Sequence, residues 1–189
     1  MRVGVPREIK PDEYRVGLTP TAVREYVAHG HEVVVEMGAG DGAGYSDALY
    51  KRAGATVLPG AEDVFASAEL IVKVKEPQAP EWARLNSRHI LFTYLHLAPD
   101  PAQADGLLAS GCAAIAYETV TDPQGGLPLL APMSEVAGRM SIQAGAQALA
   151  TIQQSVRHGC MQFVRDALKI LHSQFKPGFE LHSQLTQAA

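Results

Sequence analysis

Apolar runs typical of buried β-strands alternate with helix-like segments over the first 120 residues, and this alternation limits the possible folds most. The run 31–37, HEVVVEM, is rich in β-branched residues and predicts a buried strand. Thr19 followed by Pro20 has the pattern of a helix N-cap with proline in the first turn. Parallel strands need crossover connections, so the alternation predicts an α/β fold with a parallel sheet flanked by helices. Strands are predicted at 3–5, 31–37, 55–58, 70–74, 90–95 and 112–117, and helices at 20–30, 46–54, 61–68 and 101–109.

Composition excludes several classes of protein. The 189 residues suffice for one domain with an appendage, and the net charge of −4 argues against a nucleic-acid partner. No apolar run approaches the roughly 18–20 residues of a membrane helix, and the N-terminus lacks the pattern of a signal peptide. Cys112 and Cys160 lack metal-ligand spacing, so we expect two reduced thiols in a cytoplasmic protein with no metal site.

The sequence predicts three parts. The loop 122–132, DPQGGLPLLAP, has the composition of a domain exit, so residues 1–132 are expected to form the α/β domain. A helix is predicted to begin at Ser134, and residues 133–149 form a bridging segment rich in small residues. Residues 150–189 are predicted to be an amphipathic helical tail, which makes a long C-terminal extension. Its apolar face would contain Ile152, Val156, Cys160, Phe163, Ala167, Leu171 and Phe175.

A glycine-rich motif at 38–43, GAGDGA, fits the dinucleotide pattern G-x-G-x-x-G/A. It follows a strand, and Glu62 and Asp63 lie about 20 residues further on, where that pattern asks for an acidic residue. However, the loop before the cap at Ser46 is long, and the two acidic residues begin a helix instead of ending a strand. We therefore expect a turn in which glycine lets the backbone reverse.

Three polar residues follow predicted strands: Lys75, His96 and Glu118. Ligands of parallel sheets bind outside the carboxyl ends of the strands, so these residues are expected at one shared edge. With Arg15 they would suit a small 2-oxo acid or 2-amino acid. Arginine binds a carboxylate with two donors, lysine stabilises charge on an oxygen, and histidine transfers protons near neutral pH. Taken singly, Arg15 could be a solvated arginine, Lys75 a surface partner of Glu76, and His96 a buried core residue.

Five segments make a more specific case. The runs 4–20, 33–55 and 131–149 resemble the alanine dehydrogenase and pyridine nucleotide transhydrogenase family. The runs 72–78, VKVKEPQ, and 91–100, LFTYLHLAPD, resemble the alanine dehydrogenase branch in particular, because the transhydrogenase branch lacks this lysine and this histidine. The resemblance extends over about the first 149 residues. It implies a Rossmann-like substrate domain, in which the loop 38–44 binds no nucleotide.

The resemblance also implies roles for individual residues. Arg15 would hold the substrate carboxylate, Lys75 would bind the substrate oxygen, and His96 would be the general acid and base. Met133 would line the cleft, and Ser134 would touch the cofactor. Glu118 lies at the cleft edge without an assigned role. The implied reaction is the reversible conversion of L-alanine, NAD and water to pyruvate, ammonium and NADH by a homo-oligomer.

The resemblance stops after Leu149, where the family continues into an NAD-binding domain. We therefore expect a substrate half-site that binds no NAD tightly and is inactive alone. Two origins of the tail remain open: a change of reading frame or gene disruption, and a short paralogue whose helix covers the sheet. The alternative functions are a non-catalytic module that binds pyruvate or alanine or joins a hexamer, and a transhydrogenase α-type domain. Exposed apolar stripes in the bridging helix and tail predict self-association.

Overall fold

The computed structural model describes the backbone of residues 1–156 and the side chains of residues 1–151. The chain divides into two compact units, of which the first is Met1–Leu127 and the second begins at Pro128. The first unit contains the sheet and all but one of the helices described below. The predictions made for residues 157–189 of the tail lie outside the described residues.

The first unit is built on a six-stranded parallel sheet. The strand order is β3-β2-β1-β4-β5-β6, so the chain moves outward from β1 to one edge and then crosses back to build the other half. The predicted fold class, a parallel sheet flanked by helices, is confirmed. The strands are β1 Arg2–Val5, β2 Glu32–Glu36, β3 Thr56–Leu58, β4 Leu70–Val72, β5 Ile90–Thr93 and β6 Ala113–Ala116.

Local sequence signals explain where the helices begin. The Thr19 hydroxyl accepts a hydrogen bond from the Ala22 amide at 3.3 Å, and Asp100 accepts one from the Gln103 amide at 3.1 Å. The short α4 was not predicted, because Pro77 precedes it and Pro80 lies within its four residues, a composition typical of a loop. The helices of the first unit are α1 Pro20–Ala28, α2 Asp47–Arg52, α3 Ala61–Ser67, α4 Ala79–Trp82 and α5 Pro101–Ser110.

The core lies on both faces of the sheet. Along β2, Val33 and Val35 belong to one apolar cluster, and Val34, which points the opposite way, belongs to the other. Helices α1 and α2 cover the first face through Val23 and Tyr50. Helices α3 and α5 cover the second face through Val64, Phe65 and Leu107. Burial on both faces explains why β2 is an uninterrupted valine run instead of an alternating pattern.

The second unit contains α6, which spans Ala131–Val156. It begins three residues before Ser134, the predicted start, because Pro132 is tolerated in the first turn, where its missing N–H has no helical partner. The helix continues past Leu149 without a break, so the predicted bridging segment and the first residues of the predicted tail form one helix. Among the described residues, no helix combines the length and the apolar character needed to cross a membrane.

His89 is a buried histidine held in one neutral form. Its Nδ1 accepts a hydrogen bond from the Asn86 amide at 3.0 Å, and its Nε2 lies 2.9 Å from the Phe65 carbonyl oxygen, to which it donates. Only 1% of the residue is exposed. Burial lowers the pKa of His89 below its ordinary value of 6.5. A second proton would also end the bond from Asn86.

We expect the free energy of unfolding to decrease as pH falls below 6.5, with part of the decrease due to His89. In that range the unfolded imidazole takes up a proton that the folded one resists, so protons favour the unfolded chain. Urea unfolding of wild type and His89→Gln at pH 7.5 and 5.5 measures this part. His89→Gln should show the smaller decrease, and the exposed control His29→Gln should match wild type. Equal decreases in wild type and His89→Gln would contradict the assignment.

Candidate substrate site at the carboxyl edge of the sheet

Three residues follow adjacent strands at the carboxyl edge of the sheet, as predicted. Lys75 lies three residues beyond the end of β4, His96 three residues beyond β5, and Glu118 two residues beyond β6. These strands are neighbours in the order β4-β5-β6. The strand order also reverses between β1 and β4: β2 and β3 lie on one side of β1, and β4, β5 and β6 lie on the other. Both features are typical of the ligand-binding edge in open α/β sheets.

Arg15 lies in the loop between β1 and α1 and is oriented by Glu13. The Glu13 carboxylate accepts three hydrogen bonds from this arginine: from the backbone amide at 2.9 Å, from Nε at 2.8 Å and from Nη2 at 2.6 Å. These bonds raise the pKa of Arg15. Burial acts to raise the pKa of Glu13, but its bonds with Arg15 outweigh burial and lower it. A fixed guanidinium at this edge suits recognition of a carboxylate.

Lys75 lies on a loop fixed from two sides. The Glu8 carboxylate accepts from the Val74 amide at 2.6 Å and from the Lys75 amide at 3.4 Å. The Thr93 hydroxyl donates to the Lys75 carbonyl oxygen at 2.9 Å. Burial lowers the pKa of the Lys75 ammonium, the charge of Glu76 opposes this effect, and the positive charges of Lys10 and Arg15 add to it. The ammonium group is therefore partly desolvated.

His96 has the least common backbone conformation of the predicted site residues. Its φ of 47° lies in the left-handed region, which residues other than glycine rarely adopt. Its ring stacks on Tyr94, with 5.9 Å between the ring centroids and 8° between the planes. Burial lowers the pKa of His96, and the nearby charge of Lys75 lowers it further. The imidazole is thus held in the neutral form that can accept a proton at neutral pH.

Lys73 forms a buried ionic cluster under the site. Its Nζ lies 3.1 Å from Glu8 and 2.9 Å from Glu81, and both lysine and carboxylate side chains are almost fully buried. Burial raises the pKa of Glu8. The same Glu8 holds the loop of Lys75, so the cluster connects the sheet interior to the candidate site. Sequence reasoning missed Glu8, Glu13 and Glu81 because charged residues in polar loops give no signal of their distant partners.

Gly17 lets the loop of Arg15 approach β4 closely. A Cβ atom at this position would lie 2.4 Å from the Val72 carbonyl oxygen and 3.2 Å from the Lys73 Cα, and neither backbone atom can move freely. The close approach brings the Arg15 loop beside the strand that precedes Lys75. Glycine is therefore needed here for its size, because any larger side chain would separate the two loops.

Gly17→Ala is expected to destabilise the fold by about 1–3 kcal/mol, the usual cost of overpacking, and to weaken binding of a carboxylate ligand. Gly60→Ala is the matched control, because no heavy atom lies within 4 Å of its added Cβ. The control should lose at most about 1 kcal/mol, since Gly60 is an N-cap position. Urea unfolding of both variants measures the difference. Equal stability of the two variants would contradict the close approach.

The glycine motif at 38–43 forms a compact turn. Residues Asp41–Ala43 make a short 3₁₀ helix, and Gly38 and Gly44 have positive φ values of 72° and 80°. The Gly38 amide donates to the Asp47 carboxylate at 2.9 Å. A phosphate would need that amide and would be repelled by that carboxylate, so the loop does not fit a dinucleotide.

Met133 and Ser134 lie in the first turn of α6, in the second unit. The Ser134 hydroxyl donates to the Leu130 carbonyl oxygen at 3.3 Å, and 40% of Met133 is exposed. Their predicted contacts with the cleft and the cofactor remain predictions. Among residues 1–151, no group of three or more His, Cys, Asp or Glu side chains is arranged to hold a metal ion.

The fold resembles part of two solved proteins. A solved L-alanine dehydrogenase matches with a TM-score of 0.76 and 50% identity, over 81% of this chain and 42% of that one. A transhydrogenase from Sinorhizobium meliloti matches with a TM-score of 0.59 and 30% identity, over 62% of this chain and 35% of that one. Both comparisons support the α/β fold described above.

Sequence comparison identifies the family. The family model "Alanine dehydrogenase/PNT, N-terminal domain" matches residues 4–137. Alanine dehydrogenases from Halomonas elongata and Mycobacterium tuberculosis (strain CDC 1551 / Oshkosh) are 57% and 54% identical over 153 residues, which is 81% of this chain and 41% of each relative. The chain belongs to the alanine dehydrogenase/PNT N-terminal domain family. It spans about two fifths of the length of the curated relatives it matches.

Proposed function

We propose that the first unit is a substrate domain for the alanine dehydrogenase reaction, in which L-alanine, NAD and water are converted reversibly to pyruvate, ammonium and NADH. The observation that carries this proposal is the placement of three candidate groups at one edge of the sheet. Lys75 and His96 follow the adjacent strands β4 and β5, and Arg15 lies on the loop that approaches β4 closely at Gly17. Ligands of open parallel sheets bind at this edge.

Each group has a role that its chemistry supports. The guanidinium of Arg15 binds the carboxylate of pyruvate or L-alanine. The ammonium of Lys75 donates to the oxygen on C2 of pyruvate and stabilises the negative charge that grows there when nitrogen adds. The imidazole of His96 exchanges the proton with that oxygen, since its neutral form accepts a proton and its charged form returns it. All three roles concern the organic substrate alone.

The glycine motif of the first unit does not fit NAD. The glycine loop at 38–43 is closed by the bond from Gly38 to Asp47, and its carboxylate opposes a phosphate. We therefore propose that the substrate site forms without the nucleotide and that hydride transfer requires groups beyond these residues. Ser134 remains our candidate for a contact with NAD. We also propose a cytoplasmic location, because two cysteines far apart in the sequence are expected to remain reduced thiols.

The test of the full reaction is NADH formation from L-alanine and NAD, followed by absorbance, with the purified chain and a His96→Ala control. Activity that disappears in His96→Ala would show that the whole reaction takes place on this chain or its assembly. If neither protein forms NADH, pyruvate binding decides whether the substrate half-site exists. Absence of both NADH formation and pyruvate binding would contradict the proposed function.

A second candidate is a non-catalytic module that binds pyruvate or L-alanine. One observation favours it. The described residues include candidate groups for a substrate, Arg15, Lys75 and His96, but the glycine motif at 38–43 does not fit a dinucleotide. Pyruvate affinity without turnover would support this candidate. A transhydrogenase α-type domain is disfavoured by Lys75 and His96, and the solved transhydrogenase shares 30% identity where the L-alanine dehydrogenase shares 50%.

We also propose that the chain associates with further copies of itself through α6. The alternative is that the same helix joins a hexamer of longer relatives. Four apolar residues of this helix, Val136, Met140, Ile142 and Leu149, are each at least 52% exposed. Exposed apolar groups along one helix usually mark an interface. Sedimentation at about 50 μM should give a mass above that of one chain. A monomer at that concentration would contradict the proposal.

A further inference from the structure

Glu118 makes an unusual set of bonds across the sheet edge. It lies in the 3₁₀ turn Tyr117–Thr119, directly after β6. Its Oε1 accepts from the His96 amide at 2.7 Å and from the Leu95 amide at 3.0 Å, and its Oε2 lies 3.3 Å from the Leu95 amide. Two successive backbone amides that converge on one anionic oxygen form an arrangement like the nests that bind anions in other proteins.

The backbone of His96 needs such an anchor. A histidine with a φ of 47° is strained, at a cost of order 1–3 kcal/mol, and persists only when its surroundings fix it. The neighbouring residue is fixed as well, because the Gln103 side chain donates to the Leu95 carbonyl oxygen at 2.8 Å. The backbone of Leu95 is thus held at both its N–H and its C=O. Glu118 alone, among the hydrogen bonds described for the His96 amide, holds the strained residue itself.

We propose that Glu118 is a positioning residue that keeps His96 in its left-handed conformation and so directs the imidazole toward the substrate. The inference rests on the role proposed above for His96. The hydrogen bonds of Glu118 reach the amides of Leu95 and His96, so they act on the backbone. Its negative charge also opposes the lowering of the His96 pKa, an effect that Glu118→Gln removes while it keeps an acceptor for the two amides. The stack of the imidazole on Tyr94 then sets the plane of the ring.

Substitutions of Glu118 can distinguish the effect of its hydrogen bonds from the effect of its negative charge. A single oxygen, Oε1, accepts both of the shorter bonds, so the amide oxygen of glutamine can replace it. Glu118→Gln should therefore keep His96 in place, and Glu118→Ala should release it. Glu62→Ala, at an exposed position in α3, is the matched control for removing a carboxylate.

The experiment measures amide hydrogen exchange at Leu95 and His96 by NMR, together with pyruvate affinity by calorimetry, in the full chain. In Glu118→Ala we expect exchange at these two amides to accelerate at least about tenfold and pyruvate affinity to fall about tenfold, the scale of a lost bond to a charged group. Glu118→Gln and Glu62→Ala should stay within about threefold of wild type. The His96 ring resonances should move in Glu118→Ala only.

Each departure from this pattern has a distinct meaning. Unchanged exchange in Glu118→Ala would overturn the inference. So would faster exchange with unchanged pyruvate affinity, because Glu118 would then stabilise the loop without affecting the site. Equal losses in the Gln and Ala variants would assign the effect to charge and overturn the backbone mechanism. If wild type does not bind pyruvate, the proposed function fails, while the exchange rates still test whether Glu118 holds His96.

Discussion

Lys75→Ala is expected to lower the affinity for pyruvate by about 10- to 100-fold, the largest effect on binding among the site variants. The ammonium of Lys75 is partly desolvated, and its loop is fixed by Glu8 and Thr93. Because the backbone of this loop is already fixed, it loses little freedom when a ligand binds. Removal of the ammonium leaves the carbonyl oxygen of bound pyruvate without its charged donor, and losing a hydrogen bond to a charged group costs about 1.5–3 kcal/mol.

Calorimetric titration with pyruvate measures this loss. The matched control is Lys51→Ala, an exposed lysine in α2 that should leave the affinity unchanged. Far-ultraviolet circular dichroism of both variants establishes that each remains folded. Unchanged affinity in Lys75→Ala would remove the lysine from the site, even if the fold and the family assignment stand.

Lys73→Met is expected to lower the free energy of unfolding by about 3–5 kcal/mol, the largest effect on stability. The substitution keeps much of the side-chain volume but removes the cation between Glu8 and Glu81, whose side chains are almost fully buried. Two carboxylates would then face each other without a positive partner. Because Glu8 also holds the loop of Lys75, pyruvate affinity should fall in the same variant.

The control for Lys73→Met is an exposed ion pair. Arg2 and Glu32 lie 2.6 Å apart with side chains 44% and 70% exposed, so Arg2→Met should cost less than about 1 kcal/mol. Urea unfolding at pH 7.5 compares the two variants. A loss below about 1 kcal/mol for Lys73→Met would indicate that the two glutamates take up protons or water without penalty, and it would contradict the role of the cluster.

Strands and helices were predictable where the residue pattern of a segment matches its position in the fold. The valine run of β2 has no polar face, which matches a central strand covered on both sides, and Thr19 with Pro20 begins α1 as its local pattern predicts. The pattern at Ser134 predicts a start of α6 that is three residues too late. Pro132 belongs to a run with the composition of a loop, but proline is also favoured in the first turn of a helix.

The candidate site was predictable only in part. Lys75, His96 and Glu118 follow the predicted strands 70–74, 90–95 and 112–117, so the strand pattern alone places them at one edge. The hydrogen bonds that support the site were not predictable from spacing. Glu8 is separated from Lys73 by 65 positions, and the bond from the His96 amide to Glu118 spans 22. Such bonds depend on how the strands are ordered in the sheet, which local sequence patterns do not reveal. The positive φ of His96 likewise has no sequence signal, because it is imposed by its neighbours.

If a small 2-oxo acid binds between Arg15, Lys75 and His96, an NMR titration of the ¹⁵N-labelled chain with pyruvate locates the bound ligand without any need for turnover. We expect saturable shifts at the amides of these three residues and of Leu95. Excess L-alanine should compete for the site and replace these shifts with a second set at the same amides. Saturating pyruvate that leaves these amides unmoved, or that moves only exposed arginines such as Arg24 and Arg52, would contradict binding at this site.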